Sequence, residues 1–159
     1  MKINLITFIC CVTMWSCNLK NQEVSQLSAY SFTQDSIAII DVLNSQKEAW
    51  NNADINSFMK GYLKNEELTF IGSRGVTYGW QNTLENYKKG YPDSAAMGNL
   101  QFNIISVKSL GEEAAQVIGQ FILTRENDKP SGYFSLVFQK VKGDWVITSD
   151  MTASTPQEE

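Results

Sequence analysis

LQFNIISVKSLGEEAAQVIGQFILTRENDKPSGYFSLVFQKVKGDWVITSDMTA, residues 100–153, is the stretch that decides the fold. It holds four runs rich in β-branched and aromatic residues: Leu100–Leu110, Ala114–Arg125, Gly132–Val141 and Trp145–Ala153. Gly111-Glu112-Glu113, Asn127-Asp128-Lys129-Pro130 and Lys142-Gly143-Asp144 separate them, each short and rich in turn formers. Links this short join antiparallel neighbours, so the spacing predicts a meander of four long strands.

Upstream the period changes. Asp35-Ser36 offers an N-cap, and Ile37, Ile40, Leu43 and Trp50 follow near the helical repeat, predicting a helix from about Ser36 to Asn51. Asp54 is placed to cap a short second helix carrying Ile55, Phe58, Met59 and Tyr62. Glu67 to Ile71 reads as a strand, Gly72-Ser73-Arg74-Gly75 as a turn and Val76-Thr77-Tyr78 as the returning partner. Gly79 opens a third helix whose Trp80, Leu84, Tyr87 and Tyr91 share a face, and Pro92 stops it. Helices first and a long-stranded sheet afterwards define an α+β domain, with three N-terminal helices packed on a curved antiparallel sheet. A sheet curving around its helices leaves a cone-shaped pocket, a common kind of small-molecule site.

Composition narrows the chemistry. The chain has 159 residues, enough for one domain with its own core, and is 43% hydrophobic. With 13 basic and 17 acidic residues its formal charge is −4, and no stretch concentrates lysine and arginine, which argues against nucleic acid as a partner. There is no histidine, and Cys10, Cys11 and Cys17 all lie in the first seventeen residues. Outside that segment, a Ser-His-Asp triad, a Cys-His pair, a His- or Cys-ligated zinc and internal disulfides are therefore excluded. Carboxylates, tyrosines, lysines, arginines and hydroxyls remain for acid–base work. Glu66-Glu67 and Glu112-Glu113 read as solvated turn charges, with no loop gathering the further oxygens a calcium site needs. Neither a metal nor a cofactor is expected.

The first residues read as an address. Met1-Lys2 gives a positive start, and Ile3 to Trp15 is almost wholly apolar yet shorter than the about 20 residues a spanning helix needs. The run ends in Met14-Trp15-Ser16-Cys17, which resembles the lipobox of bacterial lipoproteins, with Trp15 departing from its usual small residue. Residues 1–17 are thus expected to be a signal peptide with Cys17 as the lipidation site. Polar residues 18–33 would then form a flexible tether, residues 34–155 the folded domain and 156–159 a frayed tail. That organisation implies a lipid anchor in a bacterial cell envelope, with the domain facing the periplasm or the exterior.

Several segments carry a family resemblance. They are Ala49-Trp50-Asn51-Asn52-Ala53-Asp54, Phe70-Ile71-Gly72-Ser73-Arg74-Gly75 and Tyr78-Gly79-Trp80. Tyr87-Lys88-Lys89-Gly90-Tyr91-Pro92-Asp93 and Gly143-Asp144-Trp145-Val146-Ile147 through Asp150 complete the set. In this order, from about Ile37 to Ser154, the chain resembles the SnoaL-like/DUF4440 branch of the NTF2-like superfamily. The resemblance implies an NTF2-like (cystatin-like) cone. Superfamily members include isomerases, dehydratases, polyketide cyclases and non-catalytic binding or assembly domains, so the fold does not choose among them. Related sequences often read Asp-His-Thr-Ser in the last strand, where this chain has Asp150-Met151-Thr152-Ala153-Ser154. Met151 cannot move a proton, so an activity relying on that histidine is not expected.

Asp150 is the candidate catalytic residue. On a regular strand it would share a face with Thr148, opposite Trp145, Ile147 and Met151. Facing the pocket, its pKa would be raised by desolvation and it would serve as a general base; facing solvent, it is an ordinary strand-end carboxylate. Arg74 either pairs with Asp150, holds a carboxylate ligand or stands exposed on its turn. Tyr62, Tyr78, Tyr87 and Tyr91 are the remaining candidate ligand-binding residues, polar-tipped rings suited to a pocket rim. Trp80 and Leu84, with Trp50, Phe102, Phe121 and Trp145, are expected in the core. The leading expectation is a homodimeric binding domain for a small, partly apolar molecule. The alternatives are an isomerase- or dehydratase-type enzyme and a non-catalytic dimerisation or interaction domain.

Overall fold

In the computed structural model, which describes residues 32–156, the first element is helix α1 (Phe32–Asn51). Its buried stripe is Ile39, Leu43, Gln46 and Trp50, spaced by four, three and four residues. Ile37, expected on that stripe, is 50% exposed instead. Asp35 does not cap the helix, which begins three residues before it. Its carboxylate accepts from Lys140 Nζ at 2.8 Å and Trp145 Nε1 at 3.0 Å, tying the first turn to the sheet and holding the Asp35 pKa below its ordinary value. Helix α1 thus takes in Phe32 and Thr33, part of the segment expected as tether. The expected leader, Cys17 and most of the tether lie outside the described residues.

The far end of α1 is fastened by side chains of the Ala49–Asp54 segment. Trp50 Nε1 donates to the Met97 carbonyl at 3.0 Å. The Asn51 amide makes two bonds to the Leu100 backbone, donating to its carbonyl at 3.1 Å and accepting from its N–H at 2.7 Å. Asp54 caps helix α2 (Ile55–Phe58), accepting from the Ser57 N–H at 2.9 Å. One 3-10 turn, Met59–Gly61, then delivers Tyr62 in extended conformation against the last strand, where the Leu63 N–H donates to the Ile147 carbonyl at 2.8 Å.

A hairpin of β1 (Thr69–Gly72) and β2 (Gly75–Tyr78) follows, then α3 (Trp80–Gly90), and Trp80 Nε1 donates to the Met59 carbonyl at 2.9 Å. After Pro92, Asp93 caps a further turn, α4 (Ser94–Met97). The meander is β3 (Asn99–Ser109), β4 (Ala114–Thr124), β5 (Ser131–Val141) and β6 (Asp144–Ser154), within a residue of the expected strands at each end. The six-stranded sheet has order β2-β1-β6-β5-β4-β3. One pairing departs from the expected all-antiparallel sheet: β1 runs parallel to β6, with Phe70 opposite Asp150. The chain between Ile71 and the meander passes through two helices, so nothing forces that pair to be antiparallel.

The core lies between α1–α3 and the concave face of the sheet, where Ile39, Met59, Leu68, Phe138 and Ile147 are fully buried. Two strands carry a bulge. In β6 the ladder runs Phe138 opposite Ile147 and then Val137 opposite Ser149, leaving Thr148 as the extra residue. The alternation therefore flips at Thr148: Trp145, Ile147 and Asp150 are all buried on the inner face, and Met151 is 52% exposed on the outer one. The regular-strand expectation, with Asp150 opposite Trp145 and Ile147, is corrected by this single inserted residue.

Candidate functional site

A cavity of about 600 Å³ opens between the helices and the concave sheet. Its helical wall is aromatic. Trp50 and Tyr91 meet edge-to-face with ring centroids 4.7 Å apart, Phe58 and Tyr87 at 5.2 Å, and Tyr87 stacks on Tyr91 at 6.1 Å. Phe102 and Phe134, with centroids 5.4 Å apart, and Phe121 line the opposite wall. Phe102 and Phe121 are part-buried and packed against the core, whereas Trp50 and Trp145 are buried within it. The exposed lining residues are Ser73, Arg74, Gly75 and Ser154, where β6 ends and β1 turns into β2, and Asn86 and Gly90 on α3, so the mouth lies between that end of the sheet and the helix.

Inside, the polar groups converge on Asp150, which is 3% exposed. Tyr62 Oη donates to its Oδ2 at 2.8 Å and Thr152 Oγ1 to its Oδ1 at 2.6 Å. The hydroxyls of Tyr62 and Tyr87 lie 3.3 Å apart, which extends the chain of polar groups along the helical wall. Burial raises the Asp150 pKa from 3.8 to about 6, against the opposing pull of the Thr152 and Tyr62 hydrogen bonds. Burial and then the nearby Asp150 charge push both tyrosine hydroxyls well above their ordinary value, so each stays protonated. The result is a carboxylate that changes charge near neutrality beside two neutral phenols.

The candidate residues divide. Asp150, Tyr62, Tyr87 and Tyr91 line the cavity together, and Arg74 stands on its mouth. Arg74 does not pair with Asp150, whose partners among the described residues are Tyr62 and Thr152. Tyr78 is not part of the site: on β2 its neighbour Thr77 lines the cavity while Tyr78 points outward, 63% exposed. Thr152, Gln46 and Arg125 also line the cavity and were not singled out from the sequence. Thr152 had a usable signal, sitting two residues beyond Asp150 on a strand. Gln46 is legible as the one polar residue in the α1 stripe; buried, its Nε2 donates to the Phe58 carbonyl at 3.0 Å. Among the described residues no three His, Cys, Asp or Glu side chains gather where a metal ion would be held.

A helix-backed, strongly curved, mostly antiparallel sheet enclosing an open cavity defines an α+β protein of the cystatin-like class. An NTF2-like protein of unknown function from Shewanella oneidensis MR-1 is 40% identical, with a TM-score of 0.73 over 75% of this chain and 98% of that one. A cystatin-like domain of unknown function from Nostoc punctiforme PCC 73102 (15% identity, TM-score 0.68, 80% and 81% covered) shares the fold. So does a ketosteroid isomerase-like protein from Erwinia carotovora atroseptica SCRI1043 (16% identity, TM-score 0.63, 76% and 96% covered). No family model and no curated protein matches the chain. On its identity to the Shewanella protein over nearly all of that chain, this chain belongs to the NTF2-like superfamily.

Proposed function

We propose that this chain is an exported small-molecule-binding protein of the SnoaL-like/DUF4440 branch, its ligand a small, partly apolar molecule held between the aromatic helical wall and the sheet. One observation carries the reading: a cavity of about 600 Å³, within the usual range of ligand pockets, runs from an open mouth to a buried Asp150 held by Tyr62 and Thr152. An open cavity leaves apolar rings without packing partners, and a bound ligand would supply those contacts. A panel of ring-bearing lipophilic compounds screened by thermal shift tests this. Stabilisation by a subset of them is expected, and no shift with any compound under any condition contradicts the reading.

The Asp150 pKa of about 6 favours a second reading, an isomerase- or dehydratase-type enzyme. A base poised near the working pH is the one best suited to move a proton in both directions. Asp150 would take a proton from a carbon next to a carbonyl, and the neutral Tyr87 hydroxyl would donate to the oxyanion that develops. The ketosteroid isomerase-like name of the Erwinia protein agrees with this class, on fold alone. Asp150→Asn should abolish turnover with the fold intact; unchanged turnover removes Asp150 from the mechanism.

The envelope address rests on the signal-peptide pattern ending at Cys17. Metabolic labelling with a fatty acid should mark the wild type and not Cys17→Ala; an unlabelled wild type contradicts the anchor. The homodimer reading is supported by Ile118, Tyr133 and Met151, exposed on the outer sheet face. A monodisperse monomer at micromolar concentration contradicts it.

A further inference from the structure

The charges around the cavity are unevenly chosen. Its lining holds Arg74, Arg125 and Asp150, with no lysine and no glutamate. Arg74 and Arg125 are both of the arginines in a chain whose formal charge is −4. They reach the mouth from opposite flanks. Arg74 sits on the turn between β1 and β2, and Arg125 directly follows β4. With β6 and β5 between β1 and β4, the two flanks are three strand spacings apart, about 14 Å on a flat sheet and less on a curved one. Two arginine side chains bridge such a gap around a ligand group.

Arg125 is fixed in place. Its N–H donates to the Asp128 carbonyl at 3.0 Å, and its Nε lies 3.1 Å from Asp128 Oδ1. The side chain crosses Gly98, where a Cβ would come within 2.6 Å of Arg125 Cγ. Asp128 Oδ1 is in ion-pair contact with Nε, which is buried without a hydrogen bond, and the terminal nitrogens have no partner among the described residues. The Arg74 guanidinium has no hydrogen bond or ion pair among the described residues either. Asp150 lies four residues along β6 from the mouth residue Ser154, about 13 Å deeper.

We propose, resting on the binding reading above, that the cavity takes an amphipathic organic anion. Arg74 and Arg125 hold its carboxylate or sulfonate at the mouth, and its apolar body points inward toward Asp150. The reverse orientation would place an anion beside Asp150 and require that carboxyl to stay protonated, which disfavours it against the arginines at the mouth. Between mouth and Asp150 the walls carry the rings of Trp50, Phe58, Tyr87, Tyr91, Phe102 and Phe121, interspersed with polar groups such as Thr77, Thr83 and Asn86, which suits a partly apolar ring-bearing body. Guanidinium groups suit a carboxylate or sulfonate because they donate parallel hydrogen bonds to two of its oxygens.

Fluorescence titration of the purified protein with a matched pair of probes tests the proposal: anilinonaphthalene sulfonate and its uncharged analogue phenylnaphthylamine. The sulfonate should bind roughly tenfold more tightly, the worth of about one charge-assisted hydrogen bond. Arg74→Gln and Arg125→Gln should each reduce that preference, and the double variant should remove it, with phenylnaphthylamine affinity unchanged. Arg74→Lys should keep only the part of it that comes from charge alone. Equal binding of both probes by the wild type, or a preference that survives in the double variant, overturns the anion proposal and leaves the binding reading standing. If neither probe binds, the anion proposal is overturned, and the wider compound panel decides the binding reading.

Discussion

The Tyr62 hydroxyl donates to Asp150 Oδ2 at 2.8 Å across 88 residues of sequence, joining the end of the 3-10 turn to the middle of the last strand. Neither residue sits there by itself. Tyr62 is held because Leu63 N–H bonds the Ile147 carbonyl, and Asp150 faces inward because Thr148 is bulged out of the ladder. The bond is thus a product of two backbone features that meet at adjacent residues of β6, Ile147 and Thr148.

Removing it should be felt more strongly at high pH. Tyr62→Phe takes away one of two donors that favour the ionised carboxylate, so the Asp150 pKa should rise further above its ordinary value. Leaving a buried carboxylate short of a partner costs about 1–3 kcal/mol. Urea unfolding at pH 5 and pH 7.5 checks this: the variant should lose more relative to wild type at the higher pH.

Asp150 itself makes stability fall with rising pH. Because its folded pKa is raised, from 3.8 to about 6, the protonated form favours folding. That contribution is complete below the unfolded value and is lost as pH rises through the folded one. A shift of about two units corresponds to about 3 kcal/mol at most. Asp150→Asn cannot ionise, so its stability should gain on the wild type by up to that amount between pH 4 and pH 7.5, measured by denaturation midpoints.

Gly132 should tolerate no side chain. A Cβ there would collide with the Ala153 carbonyl oxygen and lie 2.7 Å from Ser154 Cα, both backbone atoms that no rotamer change can move. Gly132→Ala should therefore pry β5 from β6 near the mouth and cost about 3 kcal/mol or more, read as a lowered Tm. Gly90→Ala, with nothing within 4 Å of the new Cβ, is the control and should be close to neutral.

Much of this was legible in the residues. The four meander strands follow from turn chemistry at Gly111, Asn127 to Pro130, and Lys142-Gly143, and the structure ends them within a residue. Asp54 announces its cap. What escaped has local physical causes. A bulge leaves no trace in alternation unless the inner face is already known, so Thr148 hid the true facing of Asp150. Ile37 is apolar yet exposed, and reading it as core set the α1 stripe off its true line through Ile39. Asp35 has the composition of a cap but is drawn instead to Lys140 and Trp145, more than a hundred residues away. Arg125 reads as the end of a strand, and only the sheet order brings it to the mouth that Arg74 flanks.

The most direct test of the account is the titration of the Asp150 carboxyl, followed by NMR with carbon-labelled aspartate. One aspartate should titrate near pH 6, be absent from Asp150→Asn, and change its chemical shift when phenylnaphthylamine is added. An Asp150 carboxyl that titrates near 4 and ignores the probe would contradict both the buried site and its role in binding.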